Sequence, residues 1–169
     1  MANYYSQTAL LKAPNGFRLT DVERALLSLM GFAVHAGDAE RADYLFSHDG
    51  PQTITIETIR DELEDSETAE ALAVEILATI NLEACEDGTD DRGFDYADLY
   101  HHALIARGSD EFVQFATAHT CDKARIDGFG GSALHITAAR IEHIDTCAWL
   151  QRLAEAHAYP FNLPNKRTF

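Results

Sequence analysis

The stretch TCDKARIDGFGGSALHIT, residues 120–137, concentrates residue types that could carry chemistry. Glycines let backbone amides approach an anion closely, and nearby cations can complete such a cradle. The candidate anion-binding residues are Lys123, Arg125, Gly128, Gly130 and Gly131. The stretch lacks the Gly-Lys-Ser/Thr ending of a phosphate-binding loop, and a strand is predicted to follow it where a dinucleotide-binding fingerprint requires a helix. That absence of a helix favours the alternative, a strand–loop–strand hairpin in which at least one of the three glycines adopts positive φ and Phe129 is at least partly buried.

Cysteine and histidine in the same stretch suggest a metal site or a nucleophile. His119 and Cys121 are two residues apart, and in a hairpin the facing strand could bring His135 to the same face. Zinc needs a fourth ligand, and the chain has no Cys-x-x-Cys or His-Glu-x-x-His motif. A Cys–His nucleophile pair would need an orienting acid that no motif supplies. The three residues are therefore weak metal candidates, and we predict no metal, no cofactor and a non-enzymatic role.

The same stretch resembles a family of small uncharacterised proteins of bacteriophages, plasmids and integrated elements. Members share a Thr-Cys-Ser-Lys run, a short basic segment, a Phe-Gly-Gly-Gly run and an apolar strand that ends in Thr. This chain is similar in its TCDK, FGG and SALHIT runs, in the following IDTCAWL and in its opening ANYYSQTALL. Asp122 stands where the family usually has Ser, and Ser132 where it often has a third Gly. The resemblance covers both ends of the chain but not its middle, and it implies a mobile-element origin and a fold, not a reaction.

Negative charge is concentrated in the middle of the chain. The formal net charge is −15, and residues 56–100 hold fifteen of the 28 acids with only Arg60 and Arg92 as cations. Such a field repels nucleic acid and anionic membranes and attracts basic surfaces. A merely solubilising face is the alternative. The predicted partner surface comprises Glu57, Asp61, Glu62, Glu64, Asp65, Glu67, Glu86, Asp87, Asp90 and Asp91.

Length and composition predict a single globular domain over residues 1–169. A hydrophobic content of 46% with 24% charged residues is ordinary for globular proteins. No apolar run approaches the roughly 20 residues of a membrane helix, and the N-terminus lacks the features of a secretory signal. Three scattered cysteines do not make a disulfide framework. We therefore expect a protein of the host-cell cytoplasm with reduced thiols.

Four helices are predicted from apolar residues at helical spacing. Thr20 and Glu23 form a capping box before the first, and Asp95 caps the third, DYADLYHHALIAR, which ends before Gly108. The second lies in DSETAEALAVEILATI and the fourth in DTCAWLQRLAEAHA. The side chains of the fourth helix that we expect to face the core are Trp149, Leu150, Leu153 and Ala154.

The strand pattern completes the predicted fold. Strands are expected in YYSQTALLK, EFVQFATAHT and SALHIT, and residues 43–59 are expected to form a hairpin around HDGP. One-faced strands and amphipathic helices favour an α+β two-layer sandwich, in which helices cover one largely antiparallel sheet. A ferredoxin-like plait is the most economical version of this fold.

Three functions are compatible with these features. The leading hypothesis is an acidic mobile-element protein that imitates the charge of DNA and inhibits a basic host defence protein. Such a protein would bind neither nucleic acid nor membrane itself. The second hypothesis is a small-anion or nucleotide-binding module at the loop from Lys123 to Gly131. The third is a structural role, as a homodimer.

Overall fold

The structure, a computed structural model, describes residues 4–37, 42–64, 66–80, 93–121 and 130–158. Within these ranges the strands are β1 (Tyr4–Lys12), β2 (Ala33–His35), β3 (Tyr44–Ser47), β4 (Ile54–Thr55), β5 (Gly93–Phe94), β6 (Phe112–Cys121), β7 (Gly130–Thr137) and β8 (Ile141–Asp145). The helices there are α1 (Asp21–Leu29), α2 (Ile56–Glu62), α3 (Ser66–Ile80), α4 (Tyr96–Ala106) and α5 (Thr146–Ala158). These elements confirm the predicted α+β class.

Six strands form one antiparallel sheet in the order β2-β3-β1-β6-β7-β8. Along the chain, β1, α1, β2, β3, α4 and β6 follow the β-α-β-β-α-β succession, and β3 lies between β1 and β2. This split βαβ connectivity is that of the ferredoxin-like plait. The chain adds two features to it. β4, α2, α3 and β5 are inserted between β3 and α4, and β7 and β8 extend the sheet beyond β6.

Helices cover one face of this sheet. Alternation along the strands places Leu10, Val113 and Phe115 on that covered face, where all three are buried. The Phe115 ring packs edge-on against Tyr96 and Tyr100 of α4, with ring centroids 4.8 and 5.2 Å apart. α1 adds two buried leucines to the same cluster. The core of the described residues therefore lies between one sheet and one helical layer, as predicted.

Helix ends lie where the capping residues predicted them. The Thr20 hydroxyl accepts a hydrogen bond from the Glu23 amide at 3.1 Å, and the Glu23 carboxylate accepts one from the Thr20 amide at 2.7 Å. Asp95 accepts from two amides of the first turn of α4. Gly108, just beyond α4, has a φ of +58°, which glycine adopts without steric cost. The starts of α1 and α4 are therefore set by local hydrogen bonds.

The hairpin predicted over residues 43–59 is wrong. Tyr44–Ser47 is a strand, but it pairs with β1 and β2 and not with the residues that follow it. Ile54–Thr55 pairs instead with Gly93–Phe94 in a separate two-stranded sheet. The Thr55 hydroxyl then accepts a hydrogen bond from the Thr58 amide at 3.2 Å and starts α2. A side-chain cap thus ends the alternating strand pattern after two residues.

The last helix forms as predicted, but its apolar residues do not face inward. Trp149, Leu150 and Leu153 of α5 are 50%, 57% and 44% exposed. Every α5 side chain that the structure describes is exposed, while the Ala154 side chain is outside that description. α1 and α4 pack on the covered face, whereas α5 lies against β7 and β8 from the other side, so its apolar stripe is outside the core of the described residues.

Neither Gly130 nor Gly131, the two glycines that open β7, has positive φ, so the prediction of positive φ for at least one loop glycine now depends on Gly128. Gly130 and Gly131 lie in extended strand backbone, and Gly128 and Phe129 lie outside the described residues. The requirement at Gly131 is space. A Cβ atom there would lie 2.7 Å from the carbonyl oxygen of Thr117 on the neighbouring strand β6. The glycine therefore allows the two strand backbones to approach each other.

Gly131→Ala is expected to lower the free energy of unfolding by about 1–3 kcal/mol, because the added methyl must displace the β6 backbone. Gly130→Ala is the matched control. Its Cβ would lie 3.6 Å from the Thr146 hydroxyl and 3.7 Å from the Cys147 sulfur, which are ordinary contacts. Urea unfolding of both variants tests this difference, and equal losses would contradict the spatial explanation.

Candidate interaction surfaces

Five exposed carboxylates lie on α2, on α3 and on the residues that connect them. We call this set the acidic helical face: Glu57, Asp61, Glu62, Glu64 and Glu67. Ile56 and Ile59 are buried on the inner side of α2, which turns the acidic positions of that helix towards solvent. None of the five carboxylates forms an ion pair or hydrogen bond within the described residues. This part of the predicted partner surface is therefore present and uncompensated.

Arg60 does not neutralise the acidic helical face. Its Nε atom donates to the Glu70 carboxylate at 2.8 Å, which joins α2 to α3. Glu75 lies 3.7 Å from His102 of α4. Arg60, the single cation among the described residues of α2 and α3, is therefore paired with Glu70, which is not part of the acidic helical face. The field outside these helices is negative.

Several predicted site residues lie outside the part of the chain that the structure describes. They are Asp65, Glu86, Asp87, Asp90, Asp91, Lys123, Arg125 and Gly128. The strands that flank the glycine loop, β6 and β7, pair antiparallel as the hairpin interpretation predicted. Anion binding by the loop stays a prediction, as does the contribution of the remaining acids to the partner surface.

The weak metal candidates do not converge. His135 pairs with Gln114, which is five residues from His119 along β6, so alternation places the two histidines on opposite faces of the sheet. His119 Nδ1 lies 2.9 Å from the Ser6 hydroxyl, and His135 Nδ1 lies 3.2 Å from the Gln114 amide nitrogen. The predicted shared face is wrong because this register separates the histidines by an odd number of residues. The Cys121 side chain is not described, and no group of three potential metal ligands occurs among the residues that are.

An ion pair that sequence reasoning missed, between the buried carboxylate of Glu23 and the partly exposed guanidinium of Arg107, joins the start of α1 to the end of α4. Arg107 donates to both carboxylate oxygens of Glu23, at 2.9 and 2.7 Å, and its guanidinium lies 4.8 Å from the centroid of the Phe17 ring. Burial alone would raise the pKa of Glu23. Hydrogen bonds from Arg107 and from the Thr20 backbone outweigh it and leave that pKa below its usual value. The capping box was visible in the sequence, but its distant arginine partner was not.

A second buried carboxylate, Asp43, joins three separate segments. It accepts hydrogen bonds from the Leu19 amide at 3.1 Å, the Gly37 amide at 3.0 Å and Arg24 Nη1 at 3.1 Å. Burial raises the pKa of Asp43, but the amides of Gly37 and Leu19 and the Arg24 side chain together lower it below its usual value. Because these donors all belong to the chain itself, the carboxylate has a structural role.

The other face of the sheet, which we call the open face, is almost uncharged. Its central row crosses all six strands: Ala33, Phe46, Ala9, Ala116, Ala133 and Ile144. The same face also has exposed tyrosines at Tyr5 and Tyr44. By strand alternation, Lys12 and Glu142 are the only charged side chains that the described strands place on this face. In a chain of net charge −15, this face is therefore electrostatically distinct.

α5 lies beside the open face and bounds a groove of about 720 Å³. The sheet side of the groove includes Gln114, His135 and Ile144, and the helix side includes Trp149 and Arg152. The groove is largely apolar and lies on the side of the sheet away from α1 and α4. Each of β1, β6 and β7 contributes one alanine to the central row, but strand order was needed to align them.

No family model matches this chain. No curated protein and no solved structure matches it either. The resemblance to a family of mobile-element proteins therefore stays a prediction. None of the helices within the described residues has the length and apolar character needed to cross a membrane.

Proposed function

We propose that this chain is an acidic mobile-element protein that binds a basic, nucleic-acid-binding host protein through the acidic helical face. The observation that supports this most is the set of five exposed carboxylates without internal partners. Carboxylates and phosphates are both anions that pair with Lys and Arg, and Arg can bind either one bidentately. The chain would occupy a groove that otherwise holds nucleic acid and would thereby inhibit a host defence protein.

The pairing pattern favours binding over a purely solubilising role. Arg60 is held by Glu70, so no internal ion pair has to break before the acidic helical face meets a cationic partner. A net charge of −15 should accelerate encounter with a basic protein and make the association sensitive to salt. A solubilising surface predicts no selective partner and no salt-dependent complex.

Neutralising part of the acidic helical face is expected to weaken this complex. With about 0.5 kcal/mol per exposed charge pair, four substitutions should reduce affinity about 30-fold. The test variant carries Glu57→Gln, Asp61→Asn, Glu62→Gln and Glu67→Gln. Immobilised chain is incubated with host lysate at low salt, and recovered proteins are identified, eluted with salt and challenged with duplex DNA. Wild type should recover a nucleic-acid-binding protein that duplex DNA displaces, and the variant should recover far less of it.

A control variant removes the same number of charges elsewhere. Asp49→Asn, Asp110→Asn, Glu111→Gln and Glu155→Gln change exposed acids outside the acidic helical face, and this variant should recover the partner as wild type does. Recovery of no nucleic-acid-binding protein, or a complex indifferent to salt, would contradict the proposal. An equal loss in both variants would show that net charge matters and the acidic helical face does not.

A further inference from the structure

We propose that the open face and α5 form the interface of a homodimer, in which α5 of each chain packs against the open face of its partner. This surface lies on the opposite side of the sheet from the helical layer. It would therefore operate independently of the acidic helical face and goes beyond the function proposed above.

The first support is the unsatisfied apolar surface of α5. Trp149, Leu150 and Leu153 lie at helical spacing on one side of the helix, and all three are exposed. An isolated helix of this length is marginal in water, and helices in proteins gain most of their stability by packing an apolar face. Ile144 lies on β8, two residues before α5 begins, and is also 52% exposed. The helix therefore presents a stripe that still lacks a packing partner among the described residues.

The second support is the shape of the open face. Its central row contains Ala9, Ala116 and Ala133 on three adjacent strands, bordered by the larger Phe46 and Ile144. Small side chains between larger ones leave a shallow floor, on which a helix with large apolar side chains can pack closely. The groove of about 720 Å³ beside α5 is continuous with this floor. The large side chains of one surface thus complement the small ones of the other, as a two-fold symmetric contact requires.

The third support is area. Strands about 4.8 Å apart and about 3.4 Å per residue give the six-stranded face an extent of roughly 650 Å². A helix of this length adds on the order of 200 Å². A stable dimer of standard size buries about 800 Å² per partner. Because α5 lies against β7 and β8 of its own chain and covers part of this face, the exposed extent is smaller than the sum of the two areas and is close to what a dimer needs.

Charge decides between a second copy and a nucleic acid as the occupant. The open face has exposed aromatic side chains, which could stack on bases. Nucleic-acid affinity, however, depends mainly on cations that neutralise phosphates. Among the described residues, this face and its groove supply only Lys12 and Arg152, because Arg140 is paired with Glu142 at 3.0 Å. Two chains of charge −15 repel each other wherever their acids meet, and they can approach most closely through this nearly uncharged face.

The dimer can be tested with the natural chain because Trp149 is its only tryptophan. Light scattering over a dilution series should show twice the chain mass at high concentration. Trp149 fluorescence should shift to the red and become more accessible to acrylamide as the dimer dissociates. A mass of one chain throughout would overturn the proposal. A dimer whose dissociation leaves Trp149 fluorescence unchanged would overturn it too.

Substitutions locate the interface. Ile144→Glu with Leu150→Glu should raise the dimer dissociation constant on the order of 100-fold or more, since each places an unpaired charge in the contact. Val74→Glu with Ile105→Glu is the matched control, because these side chains are 54% and 43% exposed but belong to α3 and α4. The dimer of this variant should persist. Equal effects of both changes would overturn the proposed surface. Binding of a single-stranded oligonucleotide that the double substitution abolishes would also overturn it.

Discussion

Replacing Arg107 by alanine is expected to lower the free energy of unfolding by about 2–3 kcal/mol, because it leaves the buried Glu23 carboxylate without the charge-assisted hydrogen bonds of its partly exposed partner. The Glu23 side chain is only 6% exposed, and the shorter of its two contacts with Arg107 is 2.7 Å. Arg107 also donates to the backbone carbonyls of Ala103 and Arg18, at 3.0 Å in each case. Urea unfolding at neutral pH measures the loss.

Two further variants separate the ion pair from general effects of removing an arginine. Arg140→Ala breaks an exposed pair with Glu142 and should change stability by no more than about 1 kcal/mol. Adding Glu23→Gln to Arg107→Ala removes the unpaired charge and should restore part of the loss. If Arg107→Ala costs no more than Arg140→Ala, the Glu23–Arg107 pair does not have the importance that its geometry indicates.

The pH dependence of stability provides an independent readout. In the wild type the folded pKa of Glu23 is lowered, so its contribution is present above the unfolded pKa of about 4.3 and is lost as the pH falls through the folded value. In Arg107→Ala, burial without the arginine should raise the folded pKa of Glu23. The variant then loses more unfolding free energy at neutral pH, where the unpaired Glu23 is charged, than in acid, where Glu23 is protonated. The stability difference between the two proteins should therefore be largest near pH 7 and narrow towards pH 4.

Features encoded within a few residues could be predicted from the sequence. The capping box at Thr20, the Asp95 cap and the stripe of α3 each depend on contacts within one or two helical turns, and all are present. The long strands β1, β6 and β7 also lie where alternation predicted them. The β-α-β-β-α-β succession was predicted only in outline, because β2 (Ala33–His35) was not predicted and the second strand expected within residues 43–59 lies in a separate sheet.

Features that depend on distant partners could not be predicted. Ile54–Thr55 pairs with Gly93–Phe94, which lies far along the chain. Alternation of apolar and polar residues indicates a strand but does not show which other strand it pairs with. His119 and His135 lie on opposite faces because of the β6–β7 register, which the sequence left undetermined. α5 was expected to pack inward because apolar stripes usually do. Periodicity shows that a helix has an apolar side but not which surface covers it.

The two candidate surfaces can act together because they lie on opposite sides of the molecule. The acidic helical face belongs to the layer that covers the sheet, and the open face lies on the sheet's other side. Pairing two chains through the open face would direct both acidic helical faces outward. Such a dimer would present two copies of the acidic surface, and a partner with two basic sites would bind it with higher avidity. A monomeric variant should then keep its partner but hold it less tightly.

Phe115→Ala is expected to cost about 3–5 kcal/mol of unfolding free energy, because the ring is the main contact between the sheet and the helical layer. Phe115 is 1% exposed. Its ring lies 4.8 Å from Tyr96, 5.2 Å from Tyr100 and 6.1 Å from Phe32, so truncation removes three aromatic contacts and leaves a cavity. Far-UV circular dichroism during urea unfolding measures the change.

Phe112→Ala is the matched control, since Phe112 lies on the same strand but faces the open side of the sheet. Its half-buried ring contacts Lys12, whose Nζ lies 4.3 Å from the ring centroid, and His135, at a centroid distance of 4.8 Å. Truncation of Phe112 should lower the unfolding free energy of the monomer by about 1 kcal/mol, because solvent fills most of the space that the ring leaves and no buried cavity forms. Both variants are compared at a dilution where light scattering shows a single chain, so that loss of the proposed dimer does not add to the result. Equal costs for the two phenylalanines would mean that the covered face is not the principal core of this fold.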